Sequence, residues 1–145
     1  MALAENKKAY FDYNILETYE AGIVLFGHEV KSIRKGKINL AGTHVIVRDN
    51  EVWLINADIP PYQPQNTPLD YDPKRSRRLL LNKAEISSLI GKTQEKGLTL
   101  LPLKVYIKRR KIKVEIGLAK SKKKGDKREA LKKKEDKREM RKASR

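Results

Sequence analysis

The final 26 residues of this chain cannot supply a hydrophobic core. Residues 120–145 hold 14 Lys/Arg against 5 Asp/Glu, and Leu131 and Met140 are almost their only large apolar side chains. A segment so poor in apolar surface cannot offset its own ordering entropy by burial. Whatever folds must be built from residues 1–119, which carry 20 Lys/Arg against 13 Asp/Glu. A chain of 145 residues suits one domain, and a domain of this size hides roughly two thirds of its unfolded surface. The organisation expected is therefore a folded body, residues 1–119, and a basic C-terminal tail, residues 120–145.

The body reads as mainly β. Residues 22–27 are bounded by glycines and rich in β-formers, which predicts a strand. Val30 and Ile33 share one helical face and Gly36 is a stop signal, which predicts a short helix over 28–36. Residues 43–55 alternate around Asp49-Asn50, a hairpin signal, with Trp53 expected in the core. Prolines at 60, 61, 64, 68 and 73 keep residues 60–75 irregular. Asn82 and Glu85 form a capping box ahead of Ile86, Leu89 and Ile90, so a second helix is expected over 82–96. Residues 98–119 alternate as two strands around Arg109-Arg110, with one face apolar and the other mostly cationic. Five or six strands with two inserted helices suggest an oligonucleotide-binding (OB)-like closed barrel. In the tail, good helix formers follow Asp126, but no apolar stripe is available for docking. It is expected to be disordered alone and helical when a partner compensates its charge.

The chemistry excludes more than it offers. There is no cysteine, and the only histidines are His28 and His44. Neither a metal site nor an activated nucleophile can be assembled from that set, so no catalytic residue, metal or cofactor is expected, and the chain reads as a non-enzyme. No secretory signal and no run of about 20 apolar residues is present, which suits a cytoplasmic protein with no membrane partner. A formal charge of +16 is costly self-repulsion unless a polyanion neutralises it. Nucleic acid is the abundant candidate, and RNA recognition needs cations for phosphates and rings for unpaired bases. The body offers Lys31, Arg34, Lys35 and Lys37, then Arg75, Arg77 and Arg78, with Phe11, Tyr13, Tyr62 and Tyr71 as candidate platforms. A structural ribosomal protein, or a nuclease on the same barrel, would share much of this composition.

Longer motifs narrow the choice. Residues 19–40 (YEAGIVLFGHEVKSIRKGKINL), 72–81 (DPKRSRRLLL), 97–103 (GLTLLPL) and the DKR of 126–128 resemble, in order, the signature of the small protein B family. The resemblance implies an OB barrel with a C-terminal tail. It implies binding to the tRNA-like domain of transfer-messenger RNA (tmRNA) and delivery of that RNA to ribosomes stalled without a stop codon. Such trans-translation tags the unfinished peptide and rescues the ribosome. The matching positions make Glu29, Lys31, Ser32, Arg34, Asn39 and Leu40 expected RNA contacts, and the cations and rings of the body add Lys37, Tyr62, Arg75, Arg77 and Arg78. Glu29 would accept hydrogen bonds from a base edge or a ribose 2′-OH, conferring selectivity. The tail, through Lys122, Lys123, Lys124, Asp126, Lys127, Arg128, Lys132, Lys133 and Arg138, would enter the empty mRNA path near the decoding region and meet ribosomal RNA. A monomer is expected. The chain departs from the family pattern at His28, Ala41, Asp58 and Gly125.

Overall fold

The computed structural model describes residues 2–122; the tail positions 123–145 lie outside that range, and with them the expected coil-to-helix transition. Seven strands and three helices follow one another as β1 (Ala2–Glu5), α1 (Lys7–Asp12), β2 (Tyr13–Ile23), α2 (Gly27–Arg34), β3 (His44–Arg48), β4 (Glu51–Ile55), β5 (Arg77–Leu80), α3 (Lys83–Thr93), β6 (Leu98–Lys108) and β7 (Lys111–Ser121). A single 3-10 turn, Pro64–Asn66, interrupts the proline-rich stretch. The sheet runs β1-β6-β3-β4-β5-β2-β7, and β7 also pairs with β6. All pairings are antiparallel.

The strands alternate between a core face and a solvent face, as a pleated backbone requires. Val45, Val52, Leu54, Leu79, Leu100, Val105, Val114, Ile116 and Leu118 meet in one cluster with Ile33 of α2 and Leu89 of α3. A smaller cluster joins Ala9 of α1 to Leu101, Leu103 and Ala119, with Tyr13 against it. Pro102 sits inside β6, where it cannot donate to the ladder. The register shifts between Pro102 and Lys104, and Asn6 takes up the freed carbonyls. Its Nδ2 donates to Pro102 O (2.9 Å) and its backbone N–H to Leu103 O (2.7 Å). Asn6 also caps α1, whose Ala9 N–H donates to its side chain.

Several expectations need correction. Helix α1 is absent from the sequence reading, because six residues with one buried side chain leave no legible periodicity. Among the described residues there are thus three helices rather than two. Only Gly22 and Ile23 of the expected 22–27 strand are extended in the sheet; they end β2, whose earlier residues are mostly exposed and show no apolar alternation. Trp53 is half-buried on the outer face of β4, opposite Ile46 and Arg78, because Val52 and Leu54 on either side take the core. Strand β7 runs to Ser121, two residues past the expected end of the body. Lys122, expected in the tail, donates its backbone N–H to Asp12 O (2.9 Å) and its Nζ to Tyr10 O (3.1 Å).

Candidate nucleic-acid interface

Helix α2 organises the surface richest in predicted RNA residues. Its apolar side buries Ile33 in the core, and Lys31 and Arg34 are exposed, with Lys35 and Lys37 exposed just beyond its end. The helix stops in a Schellman arrangement. Gly36 takes φ 75° and donates to Ile33 O (2.8 Å), while Lys37 N–H donates to Ser32 O (2.9 Å). This turn sends Lys37 away from the core and lets Ile38 and Leu40 re-enter it.

The N-terminal end of α2 is held by an ionic network. Glu29 is fully buried. Its Oε1 accepts from Phe26 N–H (2.8 Å) and from Arg75 Nη2. Its Oε2 accepts from Arg77 Nη2 (2.6 Å), Arg77 Nε (3.0 Å) and Arg75 Nε (3.2 Å), and lies 3.0 Å from the Tyr71 hydroxyl. Arg77, also fully buried, spends its other donors on Ala57 O (2.6 Å) and Pro73 O (2.9 Å). Tyr71 shares its one proton between Glu29 and Ile59 O (2.7 Å). Burial works against ionisation of Glu29, but the hydrogen bonds from Arg75, Phe26 N–H and Arg77 outweigh it and hold the carboxyl at about 2. Burial first, and then the Glu29 charge, push the Tyr71 phenol up to about 12.

This geometry buries four of the predicted contacts. Glu29 has no lone pair left for a base edge, Arg77 is committed to Glu29 and to carbonyls of the interior, and neither reaches solvent. Ser32 is buried and donates to Pro60 O (2.7 Å). Leu40 lies in the core. All four are buried rather than presented at the surface. For Glu29 and Arg77 the reason is that guanidinium and carboxylate satisfy one another better than either could alone in an apolar interior.

The remaining predicted residues do reach solvent. Lys31 Nζ stands 6.0 Å from the Tyr62 ring centroid, a cation beside a half-buried ring. Asn39 is exposed; its side chain accepts from Ala41 N–H (2.8 Å) and its backbone bridges Asp58. Arg75 keeps part of its surface open while its guanidinium lies 4.1 Å from the Phe26 centroid. Arg78 is exposed on β5 and loosely paired with Glu51 at 3.5 Å. Of the other candidate platforms, Tyr13 packs on the smaller core cluster, and Tyr71 serves the Glu29 network.

Sequence reasoning missed two features here. Phe26, half-exposed, carries the Arg75 guanidinium; its place inside an apolar run hides it. A groove of about 370 Å³ also separates α2 from the β6–β7 turn, with Arg34, Arg110, Lys111 and Lys113 above an apolar floor. The alternating cations of β7 signalled the second. Among the described residues, no group of three or more His, Asp or Glu side chains comes together as a metal site, and no helix is long and apolar enough to cross a membrane.

The family model described as SmpB protein matches residues 3–145. The SsrA-binding protein of Trichodesmium erythraeum is 52% identical over 141 residues, covering 97% of this chain and 90% of its own length. That of Sulfurihydrogenibium sp. is 56% identical over 141 residues, covering 97% and 92%. A solved chain described under the words "tmRNA-SmpB: a journey to the center of the bacterial ribosome" superposes with a TM-score of 0.68 at 47% identity, over 88% of this chain and 93% of that one. With the family model spanning nearly every residue and relatives more than half identical across it, the chain belongs to the SmpB family.

Proposed function

We propose that this protein binds tmRNA through its tRNA-like domain and carries it to stalled ribosomes for trans-translation, acting by binding and not by catalysis. The observation that carries the reading is family membership at more than half identity with proteins named for SsrA binding. The surface supports it. Lys31, Arg34, Lys35 and Lys37 form an exposed cationic edge around α2, Tyr62 and Phe26 offer rings beside cations, and the Glu29 network holds the helix that presents them. We assign RNA contact to Lys31, Arg34, Lys37, Asn39, Tyr62, Arg75 and Arg78. Glu29, Ser32, Leu40 and Arg77 act by positioning them.

Architecture and division of labour belong to the same proposal. The pairing of β7 with both β2 and β6 supports an OB-like closed barrel made of β2 to β7. The body, residues 1–119, would grip the RNA. The basic tail, residues 120–145, would probe the empty mRNA path, in the cytoplasm where ribosomes work.

The test is binding of the purified full-length protein to the tRNA-like domain, with ordinary tRNA as competitor, across a salt series. Each phosphate contact contributes roughly 0.7–0.9 to the slope of log affinity against log salt. Binding that survives high salt and resists tRNA supports the proposal. Binding that collapses with salt and ignores RNA identity would move the protein toward a generic ribosomal role.

A further inference from the structure

Two hairpins in this sheet turn through the same backbone geometry with different chemistry. At the β3–β4 turn, Asp49 and Asn50 take φ 51° and 61°; at the β6–β7 turn, Arg109 and Arg110 take φ 51° and 67°. Two consecutive left-handed residues make a type I′ turn, whose twist matches paired strands. Asn, Asp and Gly enter that region at low cost, whereas a long side chain crowds its own backbone there. The first turn is built from suitable residues and the second is not. The ladder imposes the second turn all the same, since β6 and β7 pair from Leu98↔Lys120 up to Lys108↔Lys111. Strain held in place by its surroundings gathers at functional sites.

The charge at this tip is equally unfavourable without a ligand. Residues 108–113 contain five Lys/Arg and no acid. Lys108 and Lys111 face each other across the ladder, a like-charge pair that destabilises a hairpin. Glu20 lies 3.3 Å from Lys108. Arg109, Arg110 and Lys111 make no ion pair among the described residues. The tip is also anchored, because Arg34 Nη2 donates to Arg110 O (3.3 Å) across the groove. Arg110 and Lys111 thus stand opposite the cationic edge of α2, and Arg109 lines the other flank of the hairpin with Lys108 and Glu20.

We propose that the Arg109–Arg110 turn is a phosphate-binding site for structured RNA, continuing the α2 surface across the groove. The inference rests on the RNA-binding function proposed above and adds a second element to it. A phosphate is the fitting ligand because the groove on the Arg110 side offers several cations, no carboxylate, and guanidiniums able to fork onto phosphate oxygens, while Glu20 on the Arg109 side is engaged by Tyr106 and Lys108. The phosphates belong either to the tRNA-like domain or to ribosomal RNA.

The experiment uses the full-length protein and two double variants. R109N/R110G installs residues suited to a type I′ turn and keeps the carbonyl that Arg34 uses. R109Q/R110Q removes charge without relieving the backbone. Each is titrated across a salt series against the isolated tRNA-like domain and, separately, against ribosomes. Loss of two phosphate contacts lowers the salt slope by about 1.4–1.8, and weakens binding at moderate salt on the order of tenfold. Both variants should show this on at least one RNA, and the affected one identifies the source of the phosphates. Wild-type slopes and affinities in either variant on both RNAs overturn the site while leaving the proposed function intact. A wild-type protein that binds neither RNA overturns both.

Discussion

Six hydrogen bonds converge on the Glu29 carboxylate from partners at positions 26, 71, 75 and 77. Removing it leaves the buried Arg77 guanidinium without its counter-charge, so Glu29→Ala is expected to cost about 3–5 kcal/mol of stability in urea unfolding. Any loss of RNA binding should then track misplacement of α2 and be as large for unrelated RNAs as for tmRNA. The sign with pH follows from the depressed acidity. Glu29 sits at about 2 when folded against an ordinary 4.5, so its stabilisation is fully present above about 4.5 and is lost as pH falls toward 2. The stability gap between wild type and Glu29→Gln should therefore shrink over that window. A gap that stays constant down to pH 2 would show that the ionised form is not what the network holds. The motif around Glu29 was legible as important; its burial was not. Its guanidinium partners lie 46 and 48 residues away, and ionisable side chains default to the surface when only neighbours in the chain are considered.

Strands β6 and β7 show how closely two elements can depend on one residue. Gly117 on β7 lies against Leu103 of β6, and a β-carbon placed there would meet Leu103 Cδ1 at 2.8 Å. Leu103 is fully buried, so any shift it makes must be absorbed by the packed residues around it. Gly117→Ala should therefore destabilise the protein by about 1–3 kcal/mol, read as a lower Tm, through overpacking. A Tm at or above wild type would mean that the smaller core cluster relaxes freely. Helix α3 tests the local rules instead. Asn82 Oδ1 accepts from Glu85 N–H (2.8 Å) and Glu85 Oε1 accepts from Asn82 N–H (3.2 Å), so Asn82→Ala should cost about 1 kcal/mol. That capping box and the Asp49-Asn50 hairpin were readable because each is contained in a few consecutive residues. Helix α1 and most of β2 were not, since both are held by contacts with β6 and β7 about a hundred residues onward.

For the molecule as a whole, the proposed division between a folded body and a basic tail makes its own prediction. Deleting residues 126–145 should leave most binding to the tRNA-like domain while abolishing peptide tagging in a reconstituted translation reaction; a deletion that destroys RNA binding would refute the division. The sequence by itself determined that the chain is mainly β, where the alternating hairpin strands and the capped helix lie, that its net charge suits a polyanion, and to which family the motifs point. These properties follow from periodicity, local capping chemistry and charge, all of which act over short stretches of chain or over its total. Only the tertiary structure decided which residues of the motif face outward. It turned Glu29, Ser32, Leu40 and Arg77 inward, left Trp53 on the outer face, and brought the Arg109–Arg110 turn across a groove from α2. Burial depends on which distant strands meet, and that is settled by the packing of the whole sheet.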